Sequence, residues 1–158
     1  DSDDEWKKNK LQIQLNFMNK NSCLMSHTSY EIINNKNKVI GYRKAKKNLL
    51  YVDLLKSCDI GLSTVMLNKR ILFNQKFPNI KTKEDYVLWL KLTKKNIKIS
   101  GINIRLTKWR KLTDALSSNN IQKITDGFRV YNTYMKFNYF KSFIYLIKLS
   151  INSILKKI

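Results

Sequence analysis

Acid, glycine, proline, cysteine and histidine are all scarce in this chain, and each shortage excludes something. Its 158 residues hold 11 Asp plus Glu against 31 Lys plus Arg, a formal charge of +20. The four glycines are scattered at 41, 61, 101 and 127, so no Gly-rich phosphate loop exists. With one proline, Pro78, collagen-like sequence is out, and 43% apolar residues exclude disorder. Cys23 and Cys58 are too few for a disulfide framework and read as small apolar core residues in a reducing compartment. His27 stands alone, so it forms no His-rich metal site and reads as structural. The longest charge-free stretch, Asn21–Tyr30, falls far short of the ~18 apolar residues a spanning helix needs. The length suits one ordinary domain or a large piece of one.

What is abundant is Lys, Asn and Ile, at 26, 18 and 18 residues. All three are favoured by AT-rich codons, so ordinary solvated Lys faces account for most of the positive charge. Basic clusters occur at Lys44, Lys46 and Lys47 and at Lys91, Lys94, Lys95 and Lys98, without zinc-ligand spacing or a helix-turn-helix signature. The acids are more telling because they are rare. Four of the 11 fall in the first five residues, and Glu84 and Asp85 are adjacent. The chain opens on Asp1 rather than Met, with no strand before the acidic cluster, and reads as a fragment that begins inside a fold.

Periodicity predicts a helix over Asp4–Asn19 with Leu11, Leu15 and Met18 on one face. Extended chain follows at Cys23–Asn34, then a turn at Asn34–Asn37 and a strand at Lys38–Tyr42. Leu50–Ser57 reads as a short helix, Leu62–Leu67 as a buried strand and Asn74–Lys83 as a loop. Glu84–Lys95 reads as a helix with Thr82 as N-cap. Ile97–Thr107 holds one or two strands interrupted at Gly101, and Lys108–Asn120 is loop-like. Helices follow over Ile121–Lys136 and Asn138–Lys157. The last carries an apolar stripe, Phe140, Ile144, Ile147, Ile151, Ile154 and Ile158, expected to pack on its own domain or to meet anionic lipid. The opposite stripe is Lys141, Tyr145, Lys148 and Asn152. The pattern is α/β to about residue 107 with an all-helical tail.

The acid clusters suggest two chemistries. Asp1-Ser2-Asp3 is an Asp-x-Asp unit whose carboxylates can converge on a hard cation such as Mg²⁺ or Mn²⁺, shared with a nucleotide diphosphate. EF-hand spacing fails because Trp6 stands where glycine is required, and first-turn helix capping is the bland alternative. Glu84-Asp85 suits helix capping too, or a general base accepting a hydroxyl proton.

Taken in order, these elements resemble the family-2 glycosyltransferases of bacterial envelope and capsule synthesis. Asp1-Ser2-Asp3-Asp4-Glu5-Trp6 with Lys10-Leu11 and Gln14 looks like the family's Asp-x-Asp segment, and Ser63–Leu67 like its following apolar strand. Phe77-Pro78 and Lys83–Leu90 resemble its "F-P…E-D-Y-x-L-W" acceptor-side segment. Trp109-Arg110, then Leu116-Ser117-Ser118, is similar to its "Y-R…S-L-S" loop. The resemblance implies a GT-A fold with a mixed, mostly parallel sheet. Residues 1–115 would be the C-terminal portion of that domain, its nucleotide-binding half missing, and 116–158 a helical extension. It also implies an inverting transferase using Mg²⁺ or Mn²⁺, a UDP- or dTDP-sugar donor and a glycan or lipid-linked acceptor.

Residue by residue, the resemblance makes Asp1 and Asp3 ligands of ribose and metal–diphosphate, with Asp4 assisting. Asp85 becomes the catalytic base and Glu84 its orienter. Arg110 would meet the diphosphate, and Trp89 would wall the acceptor site. The cationic tail, 15 basic against two acidic residues over 86–158, would hold such an enzyme at the cytoplasmic face of the membrane. A glycoside hydrolase also needs two carboxylates but no nucleotide. A basic module binding nucleic acid or anionic membrane without catalysis is the rival from another class, although no nucleic-acid partner is expected.

Overall fold

A computed structural model describes residues 2–112 and 120–155. The chain forms two compact units that interleave along the sequence. One takes Asp1–Leu50, Asp59–Phe73 and Asn96–Thr113, the other Tyr51–Cys58, Asn74–Lys95 and Asp114–Ile158.

The first unit is built on a six-stranded sheet. Its strands are β1 (Glu5–Trp6), β2 (Met25–Ile33), β3 (Val39–Arg43), β4 (Asn48–Leu49), β5 (Met66–Leu67) and β6 (Ile99–Arg110). The path runs β1-β6-β2-β3, with β4 also on β6 and β5 on β2. The sheet is mixed, but the expected mostly parallel pairing is met only by β2–β6; the other pairings described are antiparallel. β2 is central, and Met25 through Ser29 are buried on both faces. The β2–β3 turn forms because the Asn34 side chain accepts the amides of Lys36 and Lys38 while Asn37 adopts φ 59°.

Gly101 does not interrupt β6, contrary to expectation. A Cβ there would lie 2.0 Å from the Lys46 carbonyl oxygen, so glycine permits the chain at 46–47 to close on the strand. The Leu62–Leu67 segment is not one buried strand. Its residues Leu62–Thr64 form a 3₁₀ turn before the two-residue β5.

The expected first helix begins later. Glu5 and Trp6 pair with Lys108 and Thr107, and α1 covers Lys10–Lys20. Its buried face is Lys10, Gln14 and Met18, whereas Leu11 and Leu15 are exposed. Gln14 is held there by its amide, which donates to Ser26 Oγ at 3.1 Å and to the Thr64 carbonyl at 3.0 Å.

The second unit is helical: α2 (Tyr51–Leu54), α3 (Glu84–Lys94), α4 (Asn120–Arg129), a π-helical turn (Val130–Tyr134) and α5 (Tyr139–Leu155). Tyr86, Trp89, Leu90, Val130, Tyr131 and Leu149 are among its buried side chains. The Tyr86 hydroxyl donates to the Leu54 carbonyl and the Tyr131 hydroxyl to that of Leu55, their oxygens 2.9 Å apart. Burial raises both phenols far above the usual tyrosine range, so they stay neutral donors.

Two helical expectations need correction. Thr82 does not cap α3; Lys83 takes that position with φ 66°, and the Thr82 hydroxyl bonds to Asp126. The stripe of α5 does not face inward either. Ser142, Leu146 and Leu149 are buried, while Phe140, Ile147, Ile151 and Ile154 are exposed. Tyr145, placed on the polar stripe by sequence, stacks on Tyr131 at 5.6 Å. Among the described residues no helix is long and apolar enough to cross a membrane.

Candidate functional site

In the sheet unit, the antiparallel pairing of β1 with β6 brings the opening acids to the end of β6. Both oxygens of the Asp4 carboxylate are engaged. Oδ1 accepts the Arg110 amide at 3.0 Å, and Oδ2 accepts the Ser63 hydroxyl. Arg110 does not stand open to an anion. Nε donates to the Asp3 carbonyl (3.1 Å), Nη1 to the Asn34 carbonyl and Asn37 Oδ1, and Nη2 to Glu5 Oε1 (2.9 Å). Of five guanidinium N–H groups, one has no partner among the described residues. The hydrogen bond from the Lys108 ammonium holds the Glu5 carboxyl below its usual range against the opposing effect of desolvation, with Arg110 adding smaller contributions.

Asp3 is therefore clamped through its backbone, and its half-buried carboxylate has no hydrogen-bond or ion-pair partner among the described residues. Asp1 lies outside the described residues, as do Leu116, Ser117, Ser118 and Ile158. No group of three or more His, Cys, Asp or Glu suited to a metal occurs among the described residues. A Mg²⁺ or Mn²⁺ ion does not require one, since such ions commonly take one or two carboxylates with substrate phosphate and water. Asp3 fits that requirement. Below it in sequence, Lys10 is buried with its ammonium 4.1 Å from the Trp6 ring centroid and without a hydrogen-bond partner. Burial pushes its pKa down to about 8.

In the helical unit, Asp85 stands in the first turn of α3, where its Oδ1 accepts the Tyr86 amide at 2.7 Å. Desolvation, with a smaller contribution from the Glu84 charge, lifts its carboxyl to about 6, against the pull of that hydrogen bond and of Lys83. That value suits a general base near neutral pH. Asp85 opens on a cavity of about 570 Å³ inside this unit, whose walls include Thr82, Lys83, Lys123, Ser150 and Leu149. Such a volume accommodates a small organic ligand. Glu84 neighbours Asp85 without lining the cavity, and Trp89 is a core side chain rather than part of the wall.

Sequence reasoning passed over Asp126. Its carboxylate is buried in α4, where Oδ2 accepts both the amide (2.9 Å) and the hydroxyl (3.0 Å) of Thr82, and Arg129 pairs with Oδ1 at 3.4 Å. This ties down the residues immediately before Asp85. Burial raises its pKa, but hydrogen bonds from Gln122 and Thr82 outweigh that and hold it below the usual range. The one available signal was rarity: a lone acid inside an otherwise basic helical tail. Cys58, expected in the core, is half-buried and lines the same cavity.

No family model matches the chain. Individual bacterial proteins do. The glycosyltransferase TuaG of Bacillus subtilis (strain 168), named for teichuronic acid biosynthesis, is 32% identical over 159 residues, covering 100% of this chain and 63% of TuaG. WfgD of Escherichia coli, a UDP-Glc:alpha-D-GlcNAc-diphosphoundecaprenol beta-1,3-glucosyltransferase, is 41% identical over 126 residues, or 78% of this chain and 49% of WfgD. WfaP of Escherichia coli, which carries the same enzymatic name, is 35% identical over 125 residues, again 78% and 49%. The chain thus spans between half and just under two thirds of these relatives' length. It is homologous to bacterial glycosyltransferases. The homology is to the family-2 enzymes whose motifs its own segments resemble.

Proposed function

We propose that the full-length protein is an inverting glycosyltransferase of GT-A type, moving a sugar from a nucleotide-sugar donor to a glycan or lipid-linked acceptor in cell-envelope polysaccharide synthesis. The observation that carries this reading is Asp85, a desolvated carboxylate with its pKa at about 6, opening on a ligand-sized cavity. The acceptor hydroxyl oxygen attacks the anomeric carbon as the bond from that carbon to the diphosphate oxygen breaks. Asp85 takes the hydroxyl proton, and the nucleoside diphosphate leaves with the bonding electrons. One displacement inverts the anomeric centre. Glu84 favours the protonated form of Asp85, and Asp126 positions the chain before it through Thr82.

At the donor end, Asp3, with Asp1, is the candidate holder of Mg²⁺ or Mn²⁺, which when bound supplies positive charge beside the departing diphosphate. Asp4 and Arg110 act as positioning residues, fixing the backbone that bears Asp3. UDP- or dTDP-sugars are the donors we expect. The reaction would take place on the cytoplasmic side, with the protein held peripherally at the inner membrane face. The exposed apolar side chains of α5 beside Lys141 and Lys148 support that placement.

The deciding experiment incubates the full-length protein with a panel of nucleotide sugars, with Mn²⁺ and with EDTA. Metal-dependent release of one nucleoside diphosphate is the expected result. Silence across the panel together with no metal-dependent nucleotide binding would overturn the reading.

A further inference from the structure

Lys83 stands where three local preferences argue against it. It opens α3 with φ 66° and ψ 20°, a left-handed conformation that a long side chain adopts only at a cost. A helix start favours Ser, Thr, Asp or Asn, whose side chains accept its free amides, and Lys83 makes no such bond. A cation there also meets the positive end of the helix dipole. Backbone strain of this kind is held in place by its surroundings and gathers at functional sites.

The surroundings that hold it are on both sides of the residue. Before it, buried Asp126 of α4 fixes the Thr82 amide and hydroxyl at 2.9 and 3.0 Å. After it, the Lys83 carbonyl accepts the Val87 amide at 3.1 Å. The side chain then runs against α4 at its glycine, where a Cβ on Gly127 would stand 3.5 Å from Lys83 Cε. It lines the same cavity as Asp85. Lys83 makes no hydrogen bond or ion pair among the described residues, so no structural partner neutralises its charge.

The charged and titratable groups near Asp85 come from several segments. Glu84 and Lys83 flank it at the start of α3. Lys123 of α4 lines the cavity, and Asp126 with Arg129 stands behind Thr82. Cys58 and Tyr86 complete the titratable lining, and the residues that α5 contributes to it are Leu, Ser and Ile. Lys83 acts towards the ionised Asp85 carboxylate and Glu84 against it.

We propose that Lys83 is a positioning residue for the acceptor-side base: its left-handed backbone directs the cationic side chain into the cavity wall, where it holds Asp85 in the ionised form that can take the acceptor's proton. The assignment rests on the transferase reading and adds to it the group that lets a desolvated carboxylate work near neutral pH. It also accounts for a lysine at a backbone position that glycine would fill without strain.

The test uses the full-length protein with Lys83→Gln, Lys83→Arg and Lys83→Gly. One readout is the pH profile of kcat/KM for nucleoside diphosphate release. The limb that rises through about 6 in wild type should move up by about half to one pH unit in Lys83→Gln. That variant is then about three- to tenfold slower at about pH 5 and close to wild type at about pH 8.5. Lys83→Arg should keep the wild-type limb. Lys83→Gly relieves the strain, so it should unfold no more easily than wild type, yet its limb should move as in Lys83→Gln. A merely structural lysine would instead lower the rate equally at every pH.

The second readout, the pH dependence of the urea midpoint, needs no turnover. Stability declines with pH between 3.8 and the folded value of Asp85, because the folded carboxyl keeps a proton that the unfolded one has lost. Without the Lys83 charge that decline should extend to higher pH, and in an Asp85→Asn background Lys83→Gln should not alter it. Limb and decline both at their wild-type positions in Lys83→Gln and Lys83→Gly would overturn the proposal, and with transfer intact would sink it alone. A displaced decline without release from any donor would sink the transferase reading and leave Lys83 as the group that keeps Asp85 charged.

Discussion

The two acid clusters of this chain meet opposite fates. At the sheet, Asp4 is enclosed by donors, and Lys108 with Arg110 holds the solvated Glu5 carboxylate below its usual range. At α3, Asp85 receives one amide from the next residue, is otherwise desolvated, and rises to about 6. The contrast separates structural carboxylates from reactive ones. A carboxylate surrounded by donors is a clasp, and one stripped of water with few donors is poised to take a proton. Asp3 is the exception within the first cluster, because Arg110 grips its carbonyl and leaves its carboxylate unpartnered among the described residues.

The sharpest way to break this comparison is Asp85→Asn in the full-length protein. Transfer should fall by about 10²–10⁴, the usual contribution of a general base, with the fold retained. Near-normal turnover would remove Asp85 from the chemistry. Wild-type kcat/KM should also rise with pH through about 6, as the base deprotonates.

Next in size is Asp126→Ala. It strands the Thr82 amide and hydroxyl and the Arg129 charge, and should cost about 2–4 kcal/mol in urea unfolding. In the full-length protein it should also lower kcat, through the displaced α3 start. Asp4→Ala should cost about 1–3 kcal/mol, by releasing Ser63 and the Arg110 amide. An Asp4→Ala protein as stable as wild type would show that the clasp is not structural.

The pH dependence of stability distinguishes the clusters by sign. Between its ordinary value of 3.8 and about 6, folded Asp85 holds a proton that the unfolded chain has lost. Its contribution to stability therefore declines as pH rises across that window. Asp85→Asn should flatten this decline and stabilise the protein at pH 7 by about 1–2 kcal/mol. Lys10 runs the other way. Between about 8 and 10.5 the unfolded chain keeps a proton that the folded one has released, so stability should rise with pH there, and Lys10→Met should remove the rise. Urea midpoints from pH 4 to 10.5 read both. The smallest effect belongs to Glu5→Gln, whose carboxylate is well solvated, and the midpoint should scarcely move.

Local signals in the sequence were reliable where local forces decide. The β2–β3 hairpin was legible from Asn34–Asn37, α3 from its acidic first turn and apolar body, and α5 from its length and periodicity. The missed features depend on distant partners. β1 exists because Glu5 and Trp6 pair with residues about a hundred positions away, so a helix starting at Asp4 was the better local guess. Thr82 had the right spacing to cap α3, but Asp126 offered its hydroxyl and amide one carboxylate together. Periodicity marked apolar stripes on α1 and α5 without telling which face would be covered.

The sequence by itself determined the residue types, their order along the motifs, locally specified segments such as α3, α5 and the β2–β3 hairpin, and the likeness to glycosyltransferases. These follow from nearest-neighbour propensity and spacing. Only the tertiary structure decided that Asp4 and Arg110 are clasped while Asp85 is desolvated at a cavity. Solvation and hydrogen-bond supply depend on which distant segments fold against a carboxylate, and no local pattern carries that information.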